Sequence, residues 1–350
     1  MGTRVLVAGA GVGGLTVAAA LAQGGAAVEV LERRDDLPDA GTALGMWPQA
    51  LDALDAVGVG DAVRSVGFPQ REGMVRDRYG RPLARIAMRE PTYLVSRPTL
   101  LRLLFEAVPA GSVSFGVPVP ALGELSGYDV VVAADGSSST VREQVWGPLA
   151  RPRPLPLRVW RGTLPAPRAT AEETWGLGAL WGLTPREDGR TNWFSCVHHD
   201  LLGDRRDVQV LADVHGDWHP GARDAALAVA GSGGDGVLVH DLTESPRLGP
   251  VVRGRVALVG DAAHTMTPNL GRGACEAILD GVALARALLE HDDPAGALRR
   301  YDRQRRRPAR RVLRGARLAA RLATARRGAT VRDAALRAST GLLARRAKAR

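Results

Sequence analysis

The stretch VLVAGAGVGGLTVAAALAQGGAAVEVLERRDD, residues 5–36, decides the fold. Its uncharged part is long enough to cross a membrane, for which about 20 apolar residues suffice, but six glycines interrupt it. Val5–Ala8 predicts a short buried strand and Gly9–Gly14 a turn. Leu15–Gln23 predicts a helix of small residues, and Ala27–Leu31 a second strand. The order strand, glycine turn, helix, strand indicates a βαβ unit of an α/β domain rather than a membrane span.

The glycines of this turn have the G-x-G-x-x-G spacing of dinucleotide-binding units. Gly9 would make the tight turn, Gly11 would let the backbone approach a pyrophosphate, and Gly14 would let helix and strand pack closely. The phosphates would then lie at the helix N-terminus. Glu32, about 20 residues after the turn, would accept a hydrogen bond from a ribose hydroxyl. The motif predicts a bound dinucleotide without choosing between NAD and FAD.

Length and composition limit the class of protein. With 350 residues, the chain exceeds the usual single-core domain, so we expect one large or two interlocked domains. The two cysteines, Cys196 and Cys275, show neither a pairing pattern nor a metal-ligand spacing, so we expect no metal site and a cytoplasmic protein. Neither a secretory leader nor a membrane span is expected.

The net charge of +10 is concentrated in residues 299–350, which hold eighteen arginines and one lysine against two aspartates. Apolar residues such as Val312, Leu318 and Leu322 recur there at roughly helical intervals, which predicts amphipathic helices packed on the body. The aromatic side chains that would stack on bases are missing apart from Tyr301. We therefore expect a structural tail and no nucleic-acid partner.

A second informative stretch is YDVVVAADGSSSTVREQVWG, residues 128–147. Val130–Ala134 predicts a buried parallel strand, and Asp135 follows it with Gly136. Ligands of open α/β sheets bind at the carboxyl edge of the strands. Asp135 is therefore predicted to lie at a ligand-binding edge.

A third stretch, GRVALVGDAAHTMTPNLGRGACEAILDGVALARALLE, residues 254–290, repeats this pattern. After the predicted strand Val256–Val259, Gly260 would leave room for a sugar chain and Asp261 would offer acceptors to polyol hydroxyls. The turn Gly271–Gly273 would aim the N-terminus of a helix beginning near Ala274 at developing negative charge. His264 is expected to have a structural role.

The three motifs, in this order and spacing, resemble those of the class A flavoprotein monooxygenases with the para-hydroxybenzoate hydroxylase fold. The resemblance implies an α/β protein in which a Rossmann-like FAD-binding domain is interlocked with an antiparallel β-sheet substrate domain and followed by a helical tail. It also implies bound FAD, with NADPH or NADH as a transient co-substrate. The reaction would use O2 to hydroxylate or epoxidise an aromatic or polycyclic small molecule, with secondary metabolism as one setting.

The resemblance also assigns cofactor-binding residues in this chain. They are Gly9, Gly11, Gly14, Glu32, Arg33, Ala43, Arg97, Asp135, Gly260, Asp261, Pro268, Gly271, Arg272 and Gly273. Arg33 would lie with Glu32 at the adenosine, and Arg97 at the phosphates. No second glycine-rich βαβ unit is evident for a nicotinamide dinucleotide, so NAD(P)H would bind transiently, with Asp135 and Arg142 as its contacts.

The chain departs from the family pattern at three positions. Where this chain has Arg272, Gln49 and Ala43, the family usually has Gln, Asn and Gly, respectively. The segment between Arg97 and Asp135 is also shorter here than in the family. Arg272 would bring an extra cation to the flavin entrance. FAD binding survives these changes, but the identity of the substrate cannot be carried over from the family.

The predicted domains are discontinuous. The FAD-binding domain is expected to comprise 1–70, 96–150 and 251–298, the substrate domain 71–95 and 151–250, and the helical arginine-rich region 299–350. In the substrate domain, the segments LPLRVWRGTL, TWGLGALWGL, RTNWFSCVHH and DVQVLADV alternate as half-buried strands do.

Few residues of the substrate domain are candidates for chemistry. Trp160, Trp181 and Trp193 are expected in its core. His198 and His199 would end one strand on opposite faces, and His199 is a candidate general base. Arg161 is a candidate to bind an acidic substrate.

Two other functions on the same scaffold stay open from sequence alone. One is an FAD-dependent reductase or dehydrogenase of an isoprenoid or polyene, which would not activate O2. The other is a flavin-containing binding or cyclase protein without redox turnover. The choice between monomer and homodimer is also open.

Overall fold

The computed structural model describes residues 3–348 of the chain, and the side chains of residues 3–338. Its strands are β1 (Val5–Ala8), β2 (Val28–Glu32), β3 (Ala43–Met46), β4 (Phe68–Asp77), β5 (Pro82–Ser96), β6 (Val113–Phe115), β7 (Val130–Ala133), β8 (Arg153–Leu164), β9 (Ala171–Trp175), β10 (Ala179–Pro185), β11 (Thr191–His198), β12 (Leu238–Glu244), β13 (Val252–Arg253) and β14 (Val256–Leu258). Its α-helices are α1 (Val12–Gln23), α2 (Pro48–Asp55), α3 (Gly60–Val66), α4 (Arg97–Glu106), α5 (Thr140–Trp146), α6 (Val210–His215), α7 (Pro220–Gly231), α8 (Asp261–His264), α9 (Gly273–Glu290), α10 (Pro294–Ala323) and α11 (Ala329–Lys348). Within residues 3–348, none of these helices combines the length and the apolar character that a membrane crossing requires.

The chain divides into two compact units. The first comprises Met1–Val66, Val95–Pro154 and Thr243–Arg317, and the second Gly67–Leu94, Leu155–Leu242 and Leu318–Arg350. Residues 299–350, expected as a region of their own, are thus shared between the units. The side chains of residues 339–350 lie outside the described ones.

The first unit is built on a six-stranded sheet in the order β13-β14-β7-β1-β2-β6. All neighbouring pairs are parallel except β13 with β14. Every residue of β1, β7 and β14 is buried, as expected where helices cover both faces of a parallel sheet. The α/β class predicted from the glycine turn is confirmed, and α1 starts at Val12 rather than Leu15 because Gly13 and Gly14 are already helical.

The second unit contains a mostly antiparallel sheet with the strand order β12-β8-β11-β10-β9-β4-β5. Strands β4 and β9 pair in parallel, whereas β4 with β5, β8 with β11, β9 with β10 and β10 with β11 are antiparallel. Trp160, Trp181 and Trp193 are at most 1% exposed, and Trp181 stacks on Trp193 with ring centroids 5.2 Å apart. The expectation that these three side chains lie in the core is confirmed.

The strand predicted for DVQVLADV, residues 207–214, is wrong, because helix α6 occupies most of this segment. Leu211, His215 and Trp218 recur at helical spacing and all three are buried. His215 packs edge-on against Trp181 and Trp218. Packing of this helical face against the tryptophan core explains why the short alternation Val208, Val210 did not produce a strand.

Candidate functional site

The glycine turn after β1 has the backbone conformation that its spacing predicts. Gly9 adopts φ of 107°, and a Cβ added to it would lie 2.6 Å from the carbonyl oxygen of Ala134. A Cβ at Gly14 would lie 1.9 Å from the carbonyl oxygen of Gly9, so no side chain fits between helix and strand there. Gly11, by contrast, has only the Ala134 carbonyl oxygen within 4 Å of such a Cβ, at 3.9 Å. Space is therefore left beside Gly11 and no side chain caps α1.

Glu32 fastens the end of β2 to this turn. It is 6% exposed, and its carboxylate accepts hydrogen bonds from the amides of Ala10, at 2.8 Å, and Arg34, at 3.0 Å. Each carboxylate oxygen has a second lone pair, so acceptor capacity for a ligand hydroxyl is left. Arg33, the next residue, has an exposed side chain.

Arg97 and Asp261 form a pair of opposite charges without direct partners. Arg97 begins α4, and Asp261 begins the short helix α8. Both are exposed, and neither side chain makes a hydrogen bond or ion pair within the described residues. Desolvation by the protein around it lowers the pKa of Arg97, while the charge of Asp261 opposes that shift. Arg97 thus lies in a recess that is open to solvent and within electrostatic reach of Asp261.

The backbone and the packing around Gly260 both require a glycine, while its predicted role beside a sugar chain stays a prediction. It adopts φ of 57°, and a Cβ on it would lie 2.9 Å from Cβ of Ala277 on α9. The absence of a side chain therefore allows the backbone turn and close packing against α9. The Gly260 amide donates to Asp280, at 3.0 Å.

Arg142 is enclosed by the protein, and its role as a nucleotide contact stays a prediction. The residue is 1% exposed, and its guanidinium donates to the carbonyl oxygens of Ala262, at 3.0 Å, and Ser137, at 2.6 Å. Asp135 accepts from the Thr140 amide, at 2.8 Å, and so helps to cap α5. The side chains of Asp135 and Arg142 tie the loop after β7 to its surroundings.

The turn between α8 and α9 leaves open space and unsatisfied polar atoms. Gly271 adopts φ of 59°, and added Cβ atoms at Gly271 and Gly273 would have nothing within 4 Å. Oγ1 of Thr267 and Oδ1 of Asn269, which flank Pro268, are buried without a hydrogen-bond partner among the described residues. Because buried polar groups are normally satisfied, these atoms indicate that a ligand completes the site.

The two departures Arg272 and Gln49 contact each other. Arg272 donates to the side-chain oxygen of Gln49, at 3.2 Å, and pairs with Glu276, at 3.0 Å. Its guanidinium also lies over the ring of Trp47, 5.7 Å from the centroid. The guanidinium of Arg272 is therefore held by Gln49 and shares the Glu276 carboxylate with Arg305. Ala43 is half-buried in β3.

A buried ionic network behind the site was missed from the sequence. Nε2 of His264 contacts Asp280 at 2.6 Å, and Arg305 of α10 donates to Asp280, at 2.7 Å, and to Glu276, at 2.6 Å. Burial alone would lower the pKa of His264, but the charge of Asp280 outweighs it and raises that pKa. His264 is structural, as expected. The sequence signal that could have revealed the network is the pair of acids Glu276 and Asp280, which lie one helical turn apart among the apolar residues of α9.

The candidate catalytic residues belong to the second unit. His199 starts a 3-10 turn directly after β11 instead of ending the strand, and it contacts Asp241 at 3.0 Å. Burial disfavours the ionised form of Asp241, but hydrogen bonds from Arg158 and Arg206 outweigh it and lower its pKa to about 2. Arg161, on β8, lies 3.3 Å from His240.

Comparison with known proteins supports the assignment of the first unit as an FAD-binding domain. Residues 2–114 and 243–316 match the family described as FAD binding domain. An FAD-dependent urate hydroxylase of Klebsiella pneumoniae is 31% identical over 86% of this chain and 85% of its own length. An aurachin C monooxygenase/isomerase of Stigmatella aurantiaca is 30% identical over 86% of this chain and 84% of its own.

A solved structure of Klebsiella pneumoniae HpxO, in complex with FAD and uric acid, is 27% identical. It superposes with a TM-score of 0.85 and covers 97% of this chain and 94% of that one. The motifs, the fold and these similarities lead to one conclusion: the chain belongs to the class A FAD-dependent monooxygenases, as a flavoprotein enzyme with the FAD binding domain of that family.

Proposed function

We propose that this monooxygenase hydroxylates or epoxidises an aromatic or polycyclic small molecule, using O2 and NADPH or NADH. The names of the relatives, one for urate and one for aurachin C, support this substrate class. They also favour oxygenation over the reductase and the non-redox alternatives. When bound, FAD supplies the redox chemistry, by accepting reducing equivalents from NAD(P)H and activating O2.

The observation that carries the proposal is the uncapped N-terminus of α1 with open space at Gly11, on a turn to which Glu32 is bound through the Ala10 amide. The unpartnered charges of Arg97 and Asp261 are a second supporting feature. The open backbone at Gly11 and the dipole of α1 would receive the pyrophosphate, and Arg97 would neutralise its second charge. Asp261 would accept hydrogen bonds from the polyol hydroxyls. Glu32, with Gly9 and Gly14 shaping the turn before it, would accept from the ribose.

The remaining family positions would serve the two ends of the cofactor. Arg33 would lie at the adenosine and Ala43 near the flavin ring. Gly271 and Gly273 would let the ring approach the N-terminus of α9, whose dipole stabilises negative charge. Pro268, Gly260, Arg272 and Asp135 would shape the surrounding loops.

The second unit is proposed to bind the substrate, with His199 as candidate base and Arg161 as candidate carboxylate ligand. We propose a cytoplasmic location, which the two free cysteines Cys196 and Cys275 favour because disulfides form and persist mainly in oxidising compartments. We propose a monomer or homodimer with no nucleic-acid partner.

The test begins with cofactor content. The purified protein should be yellow and release FAD rather than FMN on denaturation, and Asp261→Asn should weaken FAD binding about tenfold or more, through loss of a charged acceptor. Asp292→Asn, a change at another exposed aspartate, is the matched control. A colourless protein that takes up no FAD would contradict the assignment.

The reaction is tested by oxygen uptake with NAD(P)H and a panel of aromatic compounds. A substrate should increase O2 consumption and give a product that carries one atom from labelled O2. Substrate-dependent NAD(P)H oxidation without an oxygenated product would instead support the reductase alternative.

A further inference from the structure

A cavity of about 100 Å³ lies within the first unit, between the loop that follows β12 and helix α10. None of the residues proposed to contact FAD lines it. Six arginines contribute to its wall: Arg247, Arg305, Arg306, Arg310, Arg314 and Arg317. The space exceeds the roughly 30 Å³ that one water occupies in the liquid, so the cavity can admit a small polyatomic ligand.

Three of the six arginines are balanced by carboxylates. Arg305 pairs with Asp280 and Glu276 as described above. Arg306 lies 3.3 Å from a carboxylate oxygen of Asp302, and Arg317 donates to Glu244 at 2.7 Å. These pairs use all the acidic groups that line or brace the cavity wall among the described residues.

The other three arginines have no acidic partner. Arg310 donates to the carbonyl oxygens of Leu248 and Gly249, which carry no net charge. Arg247 and Arg314 are exposed and make no hydrogen bond or ion pair within the part of the chain that the structure describes. Burial lowers the pKa of Arg310, and the charges of Arg306, Arg247 and Arg314 lower it further, so these cations are close enough to repel one another.

The cavity wall also holds buried polar groups that are left unsatisfied. Ser245 is 2% exposed, and its Oγ has no hydrogen-bond partner among the described residues. The same holds for Nδ1 of His264 and Nε of Arg306. Unsatisfied buried polar atoms in the same wall as three unbalanced cations favour an anion that accepts several hydrogen bonds.

We propose that this cavity binds a small oxyanion of the phosphate class, held by Arg247, Arg310 and Arg314, with the hydroxyl of Ser245 as an inner donor. A tetrahedral oxyanion offers several acceptors at once and matches guanidinium forks. The site lies outside the proposed FAD contacts and so goes beyond the proposed function. The bound group comes from free phosphate or from a phosphate ester, of which the 2′-phosphate of NADPH is one.

The test is calorimetric titration of the purified protein with inorganic phosphate, at constant ionic strength in chloride. We expect saturable 1:1 binding, and at least a tenfold loss of affinity in the double variant Arg247→Gln/Arg314→Gln. The matched control is Arg303→Gln/Arg311→Gln, which removes two exposed arginines of α10 outside the cavity and should bind phosphate as the unmodified chain does. The variant Arg247→Lys/Arg314→Lys keeps both charges and should fall between the two.

Folding of the variants is checked by melting in anion-free buffer. Because Arg247 and Arg314 lack acidic partners, their removal should not lower the melting temperature. No phosphate binding beyond the effect of chloride, unchanged affinity in the double variant, or a lower melting temperature of that variant without anion would each overturn the proposal.

Competition then identifies the source of the group. If NADPH displaces phosphate and NADH does not, the site holds the 2′-phosphate of the coenzyme. If neither displaces it, the site holds a free oxyanion. Both results support an oxyanion site, and only the first depends on the proposed use of NAD(P)H.

Discussion

Glu32, at the end of β2, accepts hydrogen bonds from two backbone amides: that of Ala10 in the glycine turn and that of Arg34 just after the strand. Replacement by Gln keeps the shape but leaves one oxygen as acceptor, so the amide of Ala10 or of Arg34 loses its partner. A buried donor without an acceptor costs about 1–3 kcal/mol. We expect Glu32→Gln to lower the free energy of unfolding by about 2 kcal/mol in urea titrations. Glu106→Gln, on an exposed side chain of α4, should change it little, and equal effects would refute the role.

His264 should make stability depend on pH. Its pKa is raised in the folded state by Asp280 despite burial. The stabilisation is therefore complete below the ordinary histidine pKa of about 6.5 and is lost as the pH rises through the raised value. Asp280, whose pKa is lowered, loses its contribution only under acid conditions, as the pH falls through its folded value.

The variant His264→Gln can still donate to Asp280 but cannot titrate. Urea unfolding from about pH 6 to alkaline pH should show the unmodified chain losing stability relative to this variant as pH rises. Parallel curves would show that His264 does not change its protonation between the folded and unfolded states.

For single residues, the sequence predicted the conformation and packing of the glycine turn but not the side-chain partners. Gly9 and Gly14 were assigned correctly because their spacing fixes a local turn. Arg272 was expected as an added cation, because its pairing with Glu276, one helical turn away, and with Gln49 depends on tertiary packing. The burial of Arg142 could not be foreseen for the same reason, since its carbonyl partner at Ala262 lies on a distant segment.

Among the elements, α10 is held to the first unit by polar side chains that point inward. Tyr301 is fully buried and donates to the Leu258 carbonyl oxygen at 2.7 Å, and Arg305 bridges two acids of α9. Removing one partner from a buried ion pair costs about 3–5 kcal/mol. The arginines of this helix therefore include at least one that anchors it.

Arg305→Gln should destabilise the protein by about 3–5 kcal/mol in chemical denaturation. Arg303→Gln removes the same charge from an exposed position of the same helix and should change stability by less than about 0.5 kcal/mol. If both variants lost the same stability, overall charge rather than the buried network would explain the effect.

Local signals predicted some elements well and others poorly. The strands β1 and β7 and helix α9 follow from apolar runs bounded by glycine or aspartate, and these signals lie within the element itself. Helix α6 was not predicted, because a short alternation of apolar residues fits both the two-residue period of a strand and the 3.6-residue period of a helix until its packing partners are known. The parallel pairing of β4 with β9 likewise depends on chain topology and not on local pattern.

For the whole molecule, the positive charge is concentrated in the C-terminal segment, yet that segment contributes to both units. Arg305 and Arg317 pair with acids of the first unit, whereas Arg337 donates to the buried Asp77 of the second at 2.6 Å. Arg332 also lies over the ring of Trp175, 5.6 Å from its centroid. These contacts favour the structural interpretation of the segment over a nucleic-acid tail.

Deletion of residues 299–350 should therefore give insoluble protein, because it removes the Tyr301 and Arg305 anchors and exposes apolar surface. The control replaces by Gln four exposed arginines that make no hydrogen bond or ion pair among the described residues, Arg303, Arg307, Arg311 and Arg321. This variant should stay soluble and retain FAD. Soluble yield, FAD content and gel-shift assays with nucleic acid distinguish the two interpretations. A deleted chain that stays soluble and active, together with tight nucleic-acid binding by the intact chain that the four-arginine variant loses, would show that the segment serves nucleic acid instead.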